Sequence, residues 1–288
     1  MPGLISRILL PLLFATLACG RPSVSLSAAA DAAALNQAGL AAYQIAGYES
    51  ALANFEAASA KDPTNAEYPN NAGITRLRLG KAERAVIDFE RAINLNGDAG
   101  MYPFNKGLAL LQAGKKDAAI AAFERTVAVQ ADHYDGWLYL GRLYFADLRY
   151  DDAISAWNTA AGLRESAEVQ TSLGSAELAR NDYASAEGHF LRAIELEPAN
   201  ALAFYNLGLL RQTQHKLEPA VENYRKAIQL NVNQFEAYLN LGIVQEQLGK
   251  RTEAIQTLEE FIRRAPPKSH MQQIVAARVR INALRAPR

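Results

Sequence analysis

Apolar positions along the chain follow a helical spacing that is interrupted and then resumed. In residues 137–160, Trp137 and Tyr144 lie seven residues apart, and Ala153 and Trp157 lie four residues apart. Both spacings place side chains on one face of a helix, and polar residues fill the positions between them. The pattern predicts two amphipathic helices separated by a turn, packed against each other by their apolar faces.

The same helix pair recurs along the chain at a nearly fixed interval. Seven glycines mark it, at steps of 34, 34, 34, 33, 34 and 34 residues: Gly39, Gly73, Gly107, Gly141, Gly174, Gly208 and Gly242. Twelve residues after each glycine stands an alanine, and four residues later a large side chain, usually aromatic. Glycine inside a helix costs about 1 kcal/mol. Its recurrence therefore predicts close packing, with glycine facing alanine and the large side chains filling the surrounding space.

Residues typical of helix ends separate the apolar segments. Four of them are expected to close first helices in a left-handed conformation, namely Gly80, Gly114, Asn181 and Gly249. Prolines that stop second helices follow at positions 63, 198 and 266.

Trp137, Leu140, Gly141 and Tyr144 fit the pattern W-x2-L-G-x2-Y, which is followed by A-x3-F at a 34-residue period. Over residues 32–266 the chain resembles the tetratricopeptide repeat (TPR) family. The resemblance implies an all-α fold, a right-handed superhelical solenoid of antiparallel helix pairs. The chain departs from the TPR pattern at two positions. Pro69 and Pro103 replace the first large residue of the second and third repeats.

We predict four parts: a signal peptide (1–18), a tether (19–31), seven repeats within 32–266, and a capping helix with a tail (269–288). The individual repeats are expected at 32–65, 66–99, 100–133, 134–166, 167–200, 201–234 and 235–268. Ile274, Ala277, Ile281 and Leu284 share one face of the predicted cap, which would cover the last repeat. Seven Lys or Arg and no acid lie between Arg263 and Arg288, which indicates either a solvated outer face or a patch for an anionic partner.

The N-terminus has the features of a secretion signal. Arg7 precedes an apolar run from Ile8 to Ala18, too short to span a bilayer, and the single cysteine of the chain follows at Cys19. The residues before Cys19 resemble the bacterial lipoprotein cleavage box. That resemblance implies a lipid on Cys19 and, because Gly20 rather than Asp follows, the periplasmic side of the outer membrane. Cleavage after Ala18, giving a secreted or soluble periplasmic protein, is the alternative.

Charge and motifs point away from catalysis. The chain has 30 basic and 30 acidic residues, which gives no indication of nucleic acid binding. It contains no phosphate-binding glycine loop, zinc-protease or nucleophile-elbow motif, and its four histidines are scattered. The sequence therefore predicts a protein that is not an enzyme, with no metal, no cofactor and no small-molecule substrate.

Amides recur two residues before the repeat glycine, at Gln37, Asn71, Asn105, Asn206 and Asn240. This position is expected to point off the packed face onto the concave surface lined by first helices. A ladder of amides, each a donor and an acceptor, would pair with the backbone of an extended peptide. It resembles the asparagine ladder in the TPR superhelix of O-linked N-acetylglucosamine transferase. The alternative is that asparagine is merely tolerated on a polar helix face.

These features predict a non-enzymatic scaffold or adaptor that binds a protein or an extended peptide in its concave groove. Through Cys19 it would be anchored in the bacterial cell envelope. The alternative function is a structural accessory subunit of an envelope assembly, such as pilus, secretion or cell-wall machinery, that uses its convex face.

Overall fold

The computed structural model describes residues 25–286, so the predicted signal peptide and Cys19 lie outside the described residues. Between residues 25 and 286 the chain forms fifteen α-helices and no strand. The all-α prediction is confirmed.

The helices alternate between first and second members of a pair, as the periodicity predicts. Their bounds are α1 Leu26–Gln44, α2 Tyr48–Lys61, α3 Glu67–Arg78, α4 Ala82–Leu95, α5 Met101–Gln112, α6 Lys116–Val129, α7 Tyr134–Ala146, α8 Tyr150–Leu163, α9 Ala167–Ala179, α10 Tyr183–Leu196, α11 Ala201–Thr213, α12 Leu217–Leu230, α13 Phe235–Gln247, α14 Arg251–Arg264 and α15 Pro267–Arg285. Odd-numbered helices up to α13 are first helices and carry the repeat glycines.

The helices form two compact units that divide between Leu143 and Tyr144, inside α7. In unit 1, the helix pairs α1–α2, α3–α4 and α5–α6 each pack together, and α2 and α4 also contact the next first helix, α3 and α5 respectively. Unit 2 repeats this arrangement with α9–α10, α11–α12 and α13–α14, and α15 packs on α14. Within each unit an element therefore contacts mainly its neighbours in sequence, as in a solenoid.

The repeat glycines make room for the large side chain sixteen residues later. A Cβ added at Gly107 would lie 2.6 Å from the Phe123 ring, and one at Gly208 would lie 2.8 Å from the Tyr224 ring. The alanines of the motif, which we expected to face the glycines, are fully buried beside these rings. The close approach that requires glycine is thus made mainly by the ring rather than by the alanine.

Left-handed residues close the first helices. Gly80, Gly114, Asn181 and Gly249 have φ between 65° and 74°, which confirms the prediction. Ala46, Leu148 and His215 adopt the same conformation at the corresponding turns, with φ between 58° and 60°. These three were not predicted, because the geometry of the turn, rather than the residue type, sets the conformation there.

The start of the first helix differs from the expectation. Residues 26–31, assigned to the tether, form the first turns of α1. Ser25 caps the helix, since its Oγ accepts a hydrogen bond from the backbone N–H of Ala28 at 3.2 Å. The alanine-rich run that follows has high helix propensity and reaches Ala32, which is fully buried. Composition alone had suggested a flexible segment.

The final helix begins at Pro267, two residues before the predicted cap. Ile274, Ala277 and Ile281 are buried in one cluster with Leu258 and Phe261 of α14. Four arginines of the basic segment pair with acids of α13 and α14: Arg263 and Arg264 with Glu260, Arg280 with Glu246, and Arg285 with Glu259. These three carboxylates compensate part of the positive charge of the segment, which has seven Lys or Arg.

Candidate peptide-binding surface

Four of the five predicted amides reach back to the first helix of the preceding repeat. Asn71 donates to Asn36, Asn105 to Asn70, Asn206 to Ser175 and Asn240 to Tyr205. Gln37, in the first repeat, is exposed. Asn71 and Asn105 are buried in these contacts, so the open orientation predicted for this position is wrong for these two, whereas Asn240 is only half-buried. All four asparagines join neighbouring first helices. Whether they also contact a peptide stays a prediction.

In unit 1 the asparagines form one buried chain of hydrogen bonds across α1, α3 and α5. Asn105 Nδ2 donates to Asn70 Oδ1 at 2.8 Å, and Asn71 Nδ2 donates to Asn36 Oδ1 at 3.0 Å. A longer contact of 3.5 Å, from Asn70 Nδ2 to Asn71 Oδ1, links the two pairs. Asn70, Asn71 and Asn105 are each only 1 % exposed. Buried amides are retained when they are hydrogen-bonded, so this chain fixes the register of three helices.

The chain ends on a carboxylate. Asn36 Nδ2 donates to Glu67 Oε1 at 3.2 Å. Partial burial raises the pKa of Glu67, and hydrogen bonds from Asn36 and Asn71 oppose that shift. Glu67 therefore belongs to the interior network of unit 1 as much as to its surface.

Aromatic rings replace the amides where the fourth repeat begins. Phe104 packs against Phe123, His133 and Tyr139 with ring centroids 5.5, 4.7 and 5.7 Å away. Burial lowers the pKa of His133, which favours the neutral imidazole in this apolar cluster. Tyr139 occupies the amide position of the fourth repeat, where the predicted ladder has no member.

In unit 2, Asn206 and Asn240 bond to hydroxyl groups. Asn206 Nδ2 donates to Ser175 Oγ at 3.0 Å, and Asn240 Nδ2 donates to the Tyr205 hydroxyl at 3.3 Å. The Tyr205 ring lies 5.9 Å from the ring of Tyr224. Burial raises the pKa of both tyrosines above the ordinary value, which further favours the protonated hydroxyls.

Apolar side chains accompany these amides, and two of them, Leu209 and Ile243, were not predicted from the sequence. Leu209 lies one helical turn after Tyr205, and Ile243 lies one turn after Leu239, so each pair shares a face. All four side chains are only half-buried. We call the surface formed by Tyr205, Leu209, Leu239 and Ile243 the first-helix face of unit 2. The sequence does indicate this face, because an apolar residue stands one position before each of these amides and another stands three positions after it.

The described residues give no indication of another kind of site. Among residues 25–286, no three His, Cys, Asp or Glu side chains lie close enough together to hold a metal ion. None of the helices described is both long and apolar enough to cross a membrane.

Sequence comparison agrees with the helix pairing. The tetratricopeptide repeat family matches residues 36–101, 104–168, 171–211 and 236–267, and a related TPR repeat family matches 213–249. The chain belongs to the tetratricopeptide repeat family. No curated protein matches this TPR chain in sequence.

Solved TPR structures resemble the chain. A tetratricopeptide repeat protein from Parabacteroides merdae is 16 % identical and covers 87 % of this chain and 99 % of its own, with a TM-score of 0.64. MamA is 28 % identical over 57 % of this chain and 96 % of its own, with a TM-score of 0.52. YrrB, a TPR protein with an unusual peptide-binding site, is 19 % identical over 66 % of this chain and 97 % of its own, with a TM-score of 0.51.

Proposed function

We propose that this TPR protein is a non-enzymatic scaffold that holds an extended segment of a partner protein against its first helices. The observation that carries the proposal is the first-helix face of unit 2, where half-buried Leu209, Leu239 and Ile243 adjoin Asn206 and Asn240. A surface that combines partly exposed apolar side chains with a few polar groups is typical of recognition sites. TPR proteins as a family bind peptides and proteins, which supports the same function.

The amides would contribute through their carbonyl oxygens. One N–H of Asn206 and one of Asn240 are already used to join neighbouring helices. Their Oδ1 atoms accept no hydrogen bond from any residue of the described chain, and they can accept one from a backbone N–H. The amides would thus serve packing and binding together, whereas the apolar side chains would supply most of the contact energy.

Charge beside this face favours a partly basic segment. Glu236 lies in the first turn of α13, and its side chain is 57 % exposed. The carboxylate of Glu236 lies 3.7 Å from Nε2 of His270. A cationic side chain of the bound segment would meet Glu236 at the edge of the face.

Site-specific photo-crosslinking tests this assignment of the binding surface. A photoreactive amino acid at Leu239 should capture the partner from solubilised bacterial envelope. The same group at Leu191 of α10, whose side chain is 45 % exposed on a second helix, serves as the control. Capture from Leu191 but not from Leu239 would show that the first helices are not the binding surface.

We further propose seven repeats capped by α15, and anchoring of the chain in the bacterial envelope through a lipid on Cys19, on the periplasmic side of the outer membrane. The support is the apolar run Ile8–Ala18 directly before the only cysteine. A single lipid chain binds membranes only marginally, so stable anchoring needs the multiple acyl chains typical of bacterial lipoproteins.

Cys19→Ser should abolish lipidation and leave the fold intact, because Cys19 precedes the first helix. Metabolic labelling with a fatty acid should mark the wild type but not the variant. Equal labelling of both, or of neither, would reject the lipoprotein assignment and leave cleavage after Ala18 as the account of the N-terminus.

A further inference from the structure

Unit 1 has a groove on the side formed by its second helices. Its walls are α4 and α6, its floor is α5, and its volume is about 410 Å³. Pro103 and Leu110 form the floor, and Ile93 and Ala122 line the walls. All four are buried, so the base of the groove is apolar. We call it the α4–α6 groove.

The sequence explains why the groove is open. Pro103 stands four residues before the repeat glycine Gly107, where the TPR pattern has a large side chain. Trp137 and Tyr238 occupy the same position in the fourth and seventh repeats. Proline is tolerated there because it lies in the first turn of α5, but it does not fill the space that a ring would occupy.

The corresponding groove of unit 2 provides an internal comparison. It lies between α12 and α14, with Tyr238 in the place of Pro103, and its volume is about 250 Å³. Glu260 takes the place of Arg125, since each stands eighteen residues after its repeat glycine. The groove of unit 1 is therefore larger and more basic than its counterpart in unit 2.

Charges around the α4–α6 groove are unbalanced. Lys106, Lys115, Arg125 and Glu90 line it. Lys106 Nζ pairs with Glu90 at 2.9 Å, which compensates the only acid of the lining. Lys115 and Arg125 are exposed and form no ion pair with any residue between 25 and 286. An apolar base flanked by two uncompensated cations is complementary to an apolar side chain flanked by carboxylates.

We propose that the α4–α6 groove binds an acidic segment of a partner protein, with a large apolar side chain over Pro103 and carboxylates against Lys115 and Arg125. The N-terminal segment of this chain does not have that chemistry, because residues 1–24 contain no Asp or Glu. The site is distinct from the first-helix face of unit 2, and its partner would bind independently of the segment held there.

Transplanting residues from the unit 2 groove tests the proposal. In Pro103→Tyr/Arg125→Glu, the α4–α6 groove receives the two residues found at the equivalent positions of the seventh repeat. The probe is a set of fluorescent synthetic peptides with a central Phe or Leu flanked by Asp and Glu. Fluorescence anisotropy should show saturable binding to the wild type, weakened at least about tenfold by the double substitution, since the apolar space and one cation are both lost.

Matched controls separate the possible outcomes. Peptides with Lys flanks, or with Ser in place of the central residue, should not bind. Lys115→Glu, at an exposed position outside the apolar base, should weaken binding without lowering the melting temperature. Leu209→Ser/Ile243→Ser should leave binding of the acidic peptides unchanged, which separates this site from the first-helix face.

Several results would overturn the proposal. These are absence of binding by every acidic peptide, equal binding of the Lys-flanked peptides, and binding that survives the double substitution. Dimers in analytical ultracentrifugation that dissociate on Pro103→Tyr/Arg125→Glu would instead assign the groove to a second copy of this chain.

Discussion

Gly208→Leu should destabilise the protein by about 3 kcal/mol or more, at the upper end of the range for overpacked cores. A Cβ at Gly208 would already lie 2.8 Å from the Tyr224 ring, and the remaining leucine atoms need further space. Tyr224 is fully buried, and its hydroxyl donates to Gln212 Oε1 at 2.6 Å, so the ring cannot move without loss of that bond. Thermal denaturation followed by circular dichroism should show a transition at markedly lower temperature.

Gly188→Ala is the matched control, because it changes a helical glycine of the same unit without close packing. A Cβ at Gly188 in α10 would meet no atom within 4 Å. Alanine should therefore stabilise the helix by roughly 0.5–1 kcal/mol, through its higher helix propensity. A Gly208→Leu variant as stable as the wild type would contradict the role assigned to the repeat glycines.

Asn206→Ala/Asn240→Ala should lower the stability of the protein by about 1–3 kcal/mol. Each substitution removes a hydrogen bond between neighbouring first helices, to Ser175 or to Tyr205, and each such bond contributes roughly 0.5–1.5 kcal/mol. Urea denaturation should show a lower midpoint with an unchanged slope. If the peptide contacts proposed here form, affinity for the partner should fall together with stability.

Gln37→Ala is the control for the amide position. Gln37 occupies the same place in the first repeat but is exposed, so its removal should change stability by less than about 0.5 kcal/mol. Unchanged stability of Asn206→Ala/Asn240→Ala would contradict the bridging role of these two amides. It would favour instead the open ladder of amides expected from the sequence.

The helix pairs were predictable from sequence because their cause is local and repeated. Glycine, alanine and a large side chain recur at fixed offsets, and Gly107 with Phe123 shows the contact that this pattern encodes. The left-handed helix ends at Gly80, Gly114, Asn181 and Gly249 followed from residue type. A solenoid is favourable for such reasoning, since each element packs mainly on its sequence neighbours.

The direction of the asparagine side chains was not predictable in the same way. Asn71 and Asn36 lie 35 residues apart and meet only because their first helices pack side by side. An amide suits either an open polar face or a buried hydrogen bond, and only its neighbours decide between them. The contribution of Leu209 and Ile243 to the first-helix face was not predicted, because the interpretation of this face was based on the recurring amides.

Binding of the captured partner segment to the first-helix face is the most direct test of the proposed function. The segment identified by crosslinking from Leu239 is titrated calorimetrically into wild type, Leu209→Ser/Ile243→Ser and the control Leu191→Ser. Loss of two apolar contacts of about 1–1.5 kcal/mol each should weaken affinity roughly thirtyfold to a hundredfold in the double variant, and Leu191→Ser should bind as the wild type does. Unchanged affinity in a double variant that melts like the wild type would contradict the account.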